Sequence, residues 1–370
     1  MQADHSSRMS FIDALKAICC LLIITHHLAI YGPMSNIAYP LIPALLDWLR
    51  EYGRIAVQMF FVIAGFLVAA KLAPKGSSLV TTPIRLIQHR YLRLIMPYLA
   101  ALTLAIGCAA LARVWMNHES IPGTPNLFQL LAHIFLLHDL LNQEVLSAGI
   151  WYVAIDFQLF VLTILLFWIS KQIQNRYLDL QILSLVLILS LTTVSLFFFN
   201  RDSYWDETAL YFFGAYGLGI LIYWASVSQH RIFWVIALVG LIFVTLTLDF
   251  RSRIAVAGSV MLILGLAQYY DVLNSQRVPG YLAYLGRASY SIFLVHFPIS
   301  LVINAAFFRF LPHQPAIQLF GLLLAVGASI GAGIVLFNWF EVRPVTHRMH
   351  ILLPTGFITF GLLVALLGNS

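Results

Sequence analysis

Apolar runs of bilayer length recur along this chain with hardly a charge inside them, and that pattern leaves little choice of fold. A membrane-crossing helix needs about 20 predominantly apolar residues. Eleven stretches of the 370 residues meet that requirement, near 13–32, 54–72, 92–113, 150–169, 180–199, 208–225, 231–248, 252–270, 289–311, 316–338 and 351–368. Only 10% of residues are charged, against about 25% in a soluble protein, too few to coat a water-facing surface. In lipid every backbone polar group must be satisfied internally, which selects helices. The expected fold class is therefore all-α, a polytopic transmembrane helical bundle of about 10–11 spans forming one membrane-embedded domain over 1–370. A disordered chain, a soluble secreted protein and a nucleic-acid-binding module are excluded.

Orientation follows from the cations, because cytoplasmic flanks are rich in Lys and Arg. With the N-terminus cytoplasmic, 14 of the 21 Lys and Arg fall inside and seven outside. The net charge of +6 then reports topology and no anionic partner. The first run is interrupted by His26 and His27 and is followed by no small-residue cleavage site, so it reads as a retained anchor. Leu127–Leu140 is apolar but too short to span, and is expected to be interfacial or re-entrant. Cys19, Cys20 and Cys108 sit in apolar runs without ligand spacing and are expected to pack in the core; no metal site is expected. The outer loop 114–149 is the largest on its side.

Ionisable groups inside spans are costly and mark function by default. The first span holds Asp13, Lys16, His26 and His27, the fourth Asp156, and the ninth His296. Lys16 and His27 are eleven residues apart, which returns to one helix face with a rise of roughly 16 Å. One stripe thus joins a cation at the inner mouth to a deep imidazole. Asp13 is three residues from Lys16 and can pair with it. His26 points about 100° away and fits a helix–helix hydrogen bond; the same plain role is open to His27. Asp156 stands at a depth similar to His27, where a carboxylate could orient the imidazole, or be satisfied locally by hydroxyl and backbone groups. Arg90 and Arg93 share a face at a helix start, as either a phosphate clamp or a positive flank.

These residues together resemble a family. Phe11–His27 (FIDALKAICCLLIITHH) is similar to the opening of the acyltransferase-3 family of integral membrane O-acyltransferases, with Lys16 and His27 in its basic-residue, ten-spacer, His pattern. Gly53–Leu67 resembles the glycine-rich second-span motif. Arg90, Arg93 and Pro97 resemble the third-span arginine pair. Trp151–Phe160 (WYVAIDFQLF) is similar to the Trp–acid–Gln motif, Leu285–His296 (LGRASYSIFLVH) to the late Ser–Tyr–His motif, and Glu341 to Pro344 to the terminal acid–proline motif. The six occur in the family's order over 11–344, with an extra span at 351–368. Departures are Lys16 for Arg, Ala17 for Gly, Ala64 where Ser is common, and a single acid at Asp156. No appended hydrolase-like domain is expected.

The resemblance implies transfer of an acyl group, acetyl in most members, from acyl-CoA to a hydroxyl of a carbohydrate or glycolipid of the cell envelope. It implies His27 as general base or acyl carrier, with Asp156 beside it, and Lys16, Arg90 and Arg93 as contacts of the coenzyme A. Asp13, His296 and Glu341 are expected to give support, Glu341 by pairing with arginines at the inner face. The expected partners are acyl-CoA, the acceptor and the lipid bilayer, with no nucleic acid and no metal. The expected place is multi-pass in the cell membrane, the inner membrane of a bacterium. The competing reading is a transporter or flippase of an anionic envelope precursor, whose inverted repeat is not seen; a non-catalytic sensor on the same fold is a further one.

Overall fold

A computed structural model describes residues 9–176, 182–273, 278–343, 346 and 348–368. Pro344 of the terminal acid–proline motif lies outside them, as do Arg8 and Arg277, two of the 14 cations counted on the inner side. In chain order the helices are α1 (Ser10–Ile30), α2 (Pro33–Ala38), α3 (Pro43–Tyr52), α4 (Ala56–Leu72), α5 (Pro83–Trp115), α6 (Leu127–Ile134), α7 (Trp151–Arg176), α8 (Leu183–Phe197), α9 (Ala209–Val227), α10 (Arg231–Leu248), α11 (Ser252–Tyr269), α12 (Gly280–Phe310), α13 (Pro315–Leu336) and α14 (Met349–Gly368). Eleven helical stretches among the described residues are long and apolar enough to cross a membrane, and no strand occurs there. The protein is a multi-pass helical membrane protein.

The chain divides into two compact units. The first comprises Met1–Leu15, Ile55–Tyr91 and Ile155–Ala283, the second Lys16–Arg54, Leu92–Ala154 and Tyr284–Ser370. In the first, α9 is the central helix: 78% of its apolar window is buried, against 17% for α10. It packs on α4, α8, α10 and α11. Glycines permit the closest of these approaches. A Cβ on Gly65 of α4 would stand 1.9 Å from the Tyr216 carbonyl oxygen, and one on Gly219 of α9 would stand 2.0 Å from that of Val62. Lipid gives no hydrophobic drive between helices, so such backbone-to-backbone contact is what holds them. Trp224 Nε1 donates to the Ala73 carbonyl at 2.7 Å, and Gln158 accepts from the Ala209 amide at the start of α9.

In the second unit α12 is the buried helix, 72% of its window being covered against 11% for α14. Its Phe297, Leu301 and Ala305 pack with Ala109, Ala112 and Met116 at the end of α5 and with Ala148. Three polar contacts tie its start to neighbours. Cys20 donates to the Ser289 carbonyl, Tyr290 Oη to the Leu94 carbonyl and Ser291 Oγ to Glu341 Oε1. At 33 and 31 residues, α5 and α12 are about 50 and 47 Å long, more than a bilayer core of about 30 Å requires. The surplus on α5 is its N-terminal part, which carries Arg85, Arg90 and Arg93. The short segment expected at 127–140 contains α6, opened by a capping box. Asn126 Oδ1 accepts from the Gln129 amide, and Gln129 Oε1 accepts from the Asn126 amide, satisfying two of the orphan donors of a helix start.

Candidate active site

His27 lies near the end of α1, half-buried, within the second unit. Its Nδ1 is 2.7 Å from His296 Nε2 of α12. The rings are 4.9 Å apart between centres and 20° from coplanar. With the nitrogens so close, that is an edge-to-edge arrangement suited to a linear hydrogen bond. Its direction can be deduced. His296 Nδ1 faces the Phe293 carbonyl, and a carbonyl only accepts, so Nδ1 carries the proton. Neutral His296 then offers Nε2 as an acceptor, and His27 Nδ1 must be the donor to it. The relay fixes the tautomer of His27 and leaves its Nε2 with a lone pair.

The surroundings hold the His27 ring from several sides. The Tyr31 ring lies one turn on, with 5.4 Å between centres, and meets Phe297 edge-on. Gly149, at the end of the outer segment, has φ +84°, and a Cβ there would come within 2.9 Å of His27 Cε1 and 3.2 Å of the Phe293 ring. Only glycine both adopts that backbone freely and lets the imidazole sit there. Arg54 is stacked over Trp151, 5.0 Å from its ring centre, and its charge acts on His26, His27 and Tyr31. His26 has the plain role expected of it. It is buried, its Nδ1 donates to the Leu49 carbonyl at 2.7 Å, and Gly53 lies against its ring.

Asp156 is the acid expected either to orient His27 or to be satisfied by groups around it. Its carboxylate is buried in the first unit, 2.5 Å from an Arg90 guanidinium nitrogen. The Arg90 guanidinium also lies over the Phe160 ring, 5.4 Å from its centre. A buried carboxylate is tolerated when it is paired, and Arg90 supplies the charge. The group that meets Nδ1 of His27 in its own unit is an imidazole, where a carboxylate was expected. Arg90 and Arg93, expected to act as one clamp, are engaged separately. Arg93 is exposed, and its charge and that of Lys16 both act on Glu341. Glu341 also accepts from Ser291 at 2.6 Å, a partner not expected for it. Asp13 stands in the first turn of α1. Cys19 and Cys20 are buried and Cys108 half-buried, all as free thiols. Among the described residues no group of three His, Cys, Asp or Glu is placed to hold a metal ion.

Sequence reasoning left the partnership of His27 with His296 unread and passed over Gly149, Ser300 and Asn304. A signal existed for some of these. His296, Ser300 and Asn304 repeat every four residues on α12, one stripe of polar side chains in an apolar helix. Gly149 had only the small-residue run Ser147-Ala148-Gly149 to mark it.

No curated protein and no solved structure matches the chain. Residues 9–338 match the family model Acyl_transf_3, described as an acyltransferase domain. Most of the chain, from the start of α1 to the segment that follows α13, is thus covered, and the protein belongs to the acyltransferase-3 family of membrane acyltransferases.

Proposed function

We propose that the protein transfers an acyl group, acetyl in the simplest case, from cytoplasmic acyl-CoA to a hydroxyl of an envelope carbohydrate or glycolipid. The observation that carries this reading is the Phe293 carbonyl–His296–His27 relay, which leaves His27 Nε2 free to accept a proton. The acceptor hydroxyl gives its proton to Nε2 as its oxygen attacks the thioester carbonyl. The new C–O bond forms, the C–S bond breaks, and the departing thiolate takes the proton back from Nε2. His296 steadies the transient imidazolium through the hydrogen bond to Nδ1, the part a carboxylate takes in acyl-transfer triads. The Arg54 charge favours the oxyanion that develops on the carbonyl.

The donor's polyphosphate needs cations and need not enter lipid. Lys16 and Arg93, whose charges both act on Glu341, suit that role; Arg90, paired with Asp156, suits it less. From Lys16 the slim pantetheine arm has roughly 16 Å to travel along α1 to His27. The test supplies radiolabelled acetyl-CoA to membranes containing wild type or His27→Ala and follows label into carbohydrate and lipid fractions. Label with wild type alone is expected. Equal label in both sinks His27 as the base, and consumption of no donor by wild type sinks the acyl-transfer reading in favour of transport.

A further inference from the structure

Beside His27 the second unit has a small cavity of about 10 Å³, room for roughly one water-sized group such as a hydroxyl. Tyr31, Phe297 and Leu301 make its walls largely apolar, and Ser300 and Asn304 add the polar groups. Asn304 is engaged at both ends: Oδ1 accepts from the Met34 amide and Nδ2 donates to the Ser300 carbonyl. Ser300 is not. Its hydroxyl is buried, 7% of the residue being exposed, and has no hydrogen-bond partner.

Thr163 and Ser147 share that condition, but Ser300 is the one of the three that lines the cavity beside His27. Other hydroxyls on the apolar helices bond back to the carbonyl four residues earlier, as Thr25, Thr103 and Thr192 do. For Ser300 that carbonyl belongs to His296, and it already receives Ser329 Oγ from α13 at 3.3 Å. A buried polar group left unpaired costs about 1–3 kcal/mol, a cost that a bound hydrogen-bonding ligand removes. The cavity therefore presents two unsatisfied groups of complementary kind, an imidazole lone pair and a serine hydroxyl, against apolar walls. An alcohol has the matching set, one donor and two acceptor sites on oxygen and a carbon skeleton for the walls.

We infer that this slot receives the reacting hydroxyl of the acceptor, which donates to His27 Nε2 and accepts from Ser300 Oγ. The inference rests on the acyl-transfer reading and adds to it the residue that places the nucleophilic oxygen. The slot takes the hydroxyl-bearing end of a larger molecule and leaves the rest outside.

Two measurements on the full chain in membranes test this. First, Ser300→Cys is exposed to a small anionic methanethiosulfonate, with wild type as background. Modification slowed at least fivefold by ethylene glycol, and not by 1,2-dimethoxyethane, is expected. An unreactive thiol, or equal protection by both compounds, overturns the slot. Second, Ser300→Ala is assayed with acetyl-CoA and ethylene glycol as acceptor. The acceptor KM should rise about tenfold, the worth of one hydrogen bond, with the KM for acetyl-CoA unmoved. Transfer by wild type with an unchanged acceptor KM in Ser300→Ala overturns the slot and leaves the acyl-transfer reading intact. Protection of the thiol without any donor consumption by wild type overturns the acyl-transfer reading and with it the acceptor role.

Discussion

The His27 lone pair is aimed by a chain of two hydrogen bonds, through His296 to the Phe293 carbonyl. Removing His296 leaves His27 free to rotate and to hold its proton on either nitrogen. His296→Ala should therefore lower turnover by about 10²–10³-fold in single-turnover transfer, and His296→Gln, whose amide oxygen can accept from Nδ1, should recover part of it. Gly149 acts by absence. Gly149→Ala strains a backbone at φ +84° and pushes on the His27 ring; a displacement of about 1 Å costs about 10²-fold, so the variant should insert normally and transfer poorly. At this scale the sequence told part of the story. Lys16, His27 and Arg93 stood out because charge and imidazole are rare in lipid. Their partners did not, because sequence gives a residue's depth along the membrane and not which helix lies beside it. Asp156 was matched to His27 on depth alone, and the partner its carboxylate has within its own unit, Arg90, was not foreseen.

Elements were more legible. All eleven apolar runs are helices, since bilayer-length apolar sequence has no alternative. Their ends were less so. Helix α5 begins at Pro83 and α12 at Gly280, about nine residues before the apolar windows, because helical turns that carry arginine are invisible to hydropathy. Close packing at glycine was signalled by the second-span motif but not its partner. Gly219→Ala should cost about 1–3 kcal/mol by overpacking against the Val62 carbonyl, read as a lower melting temperature in detergent. The outer segment makes a pH prediction. His133 and His138 are stacked, with 4.3 Å between ring centres. Burial pushes His133 down to about 4, opposed by its hydrogen bond to the Gln129 carbonyl; burial, then the neighbouring His133, pushes His138 down to about 3. Unfolded, both titrate near 6.5. Their neutral packing is fully stabilising above that pH. Stability is lost as pH falls from about 6.5 toward 4, because the unfolded segment binds protons that the folded one refuses. Amide protection factors over 127–146, taken relative to the intrinsic rate at each pH, should fall as pH is lowered from 7.5 to 5.

For the whole molecule, the distribution of cations argues for a cytoplasmic N-terminus, and eleven crossings would then put the C-terminus outside. A membrane-impermeant thiol reagent should label a cysteine added at the C-terminus of intact cells and spare one added at the N-terminus; the reverse result overturns the orientation. The division into two units was not legible, since every boundary between them falls inside a helical stretch where composition does not change. The neutral relay in the second unit has a consequence for the energetics of the cell. An elementary charge moved across the membrane potential is worth about 2.3 kcal/mol per 100 mV. Two uncharged rings passing one proton back and forth over a few ångströms hold no standing charge in that field. On the proposed acyl-CoA mechanism, transfer by such a centre draws on the thioester alone, and label from acetyl-CoA should go on being transferred at an undiminished rate in depolarised membranes.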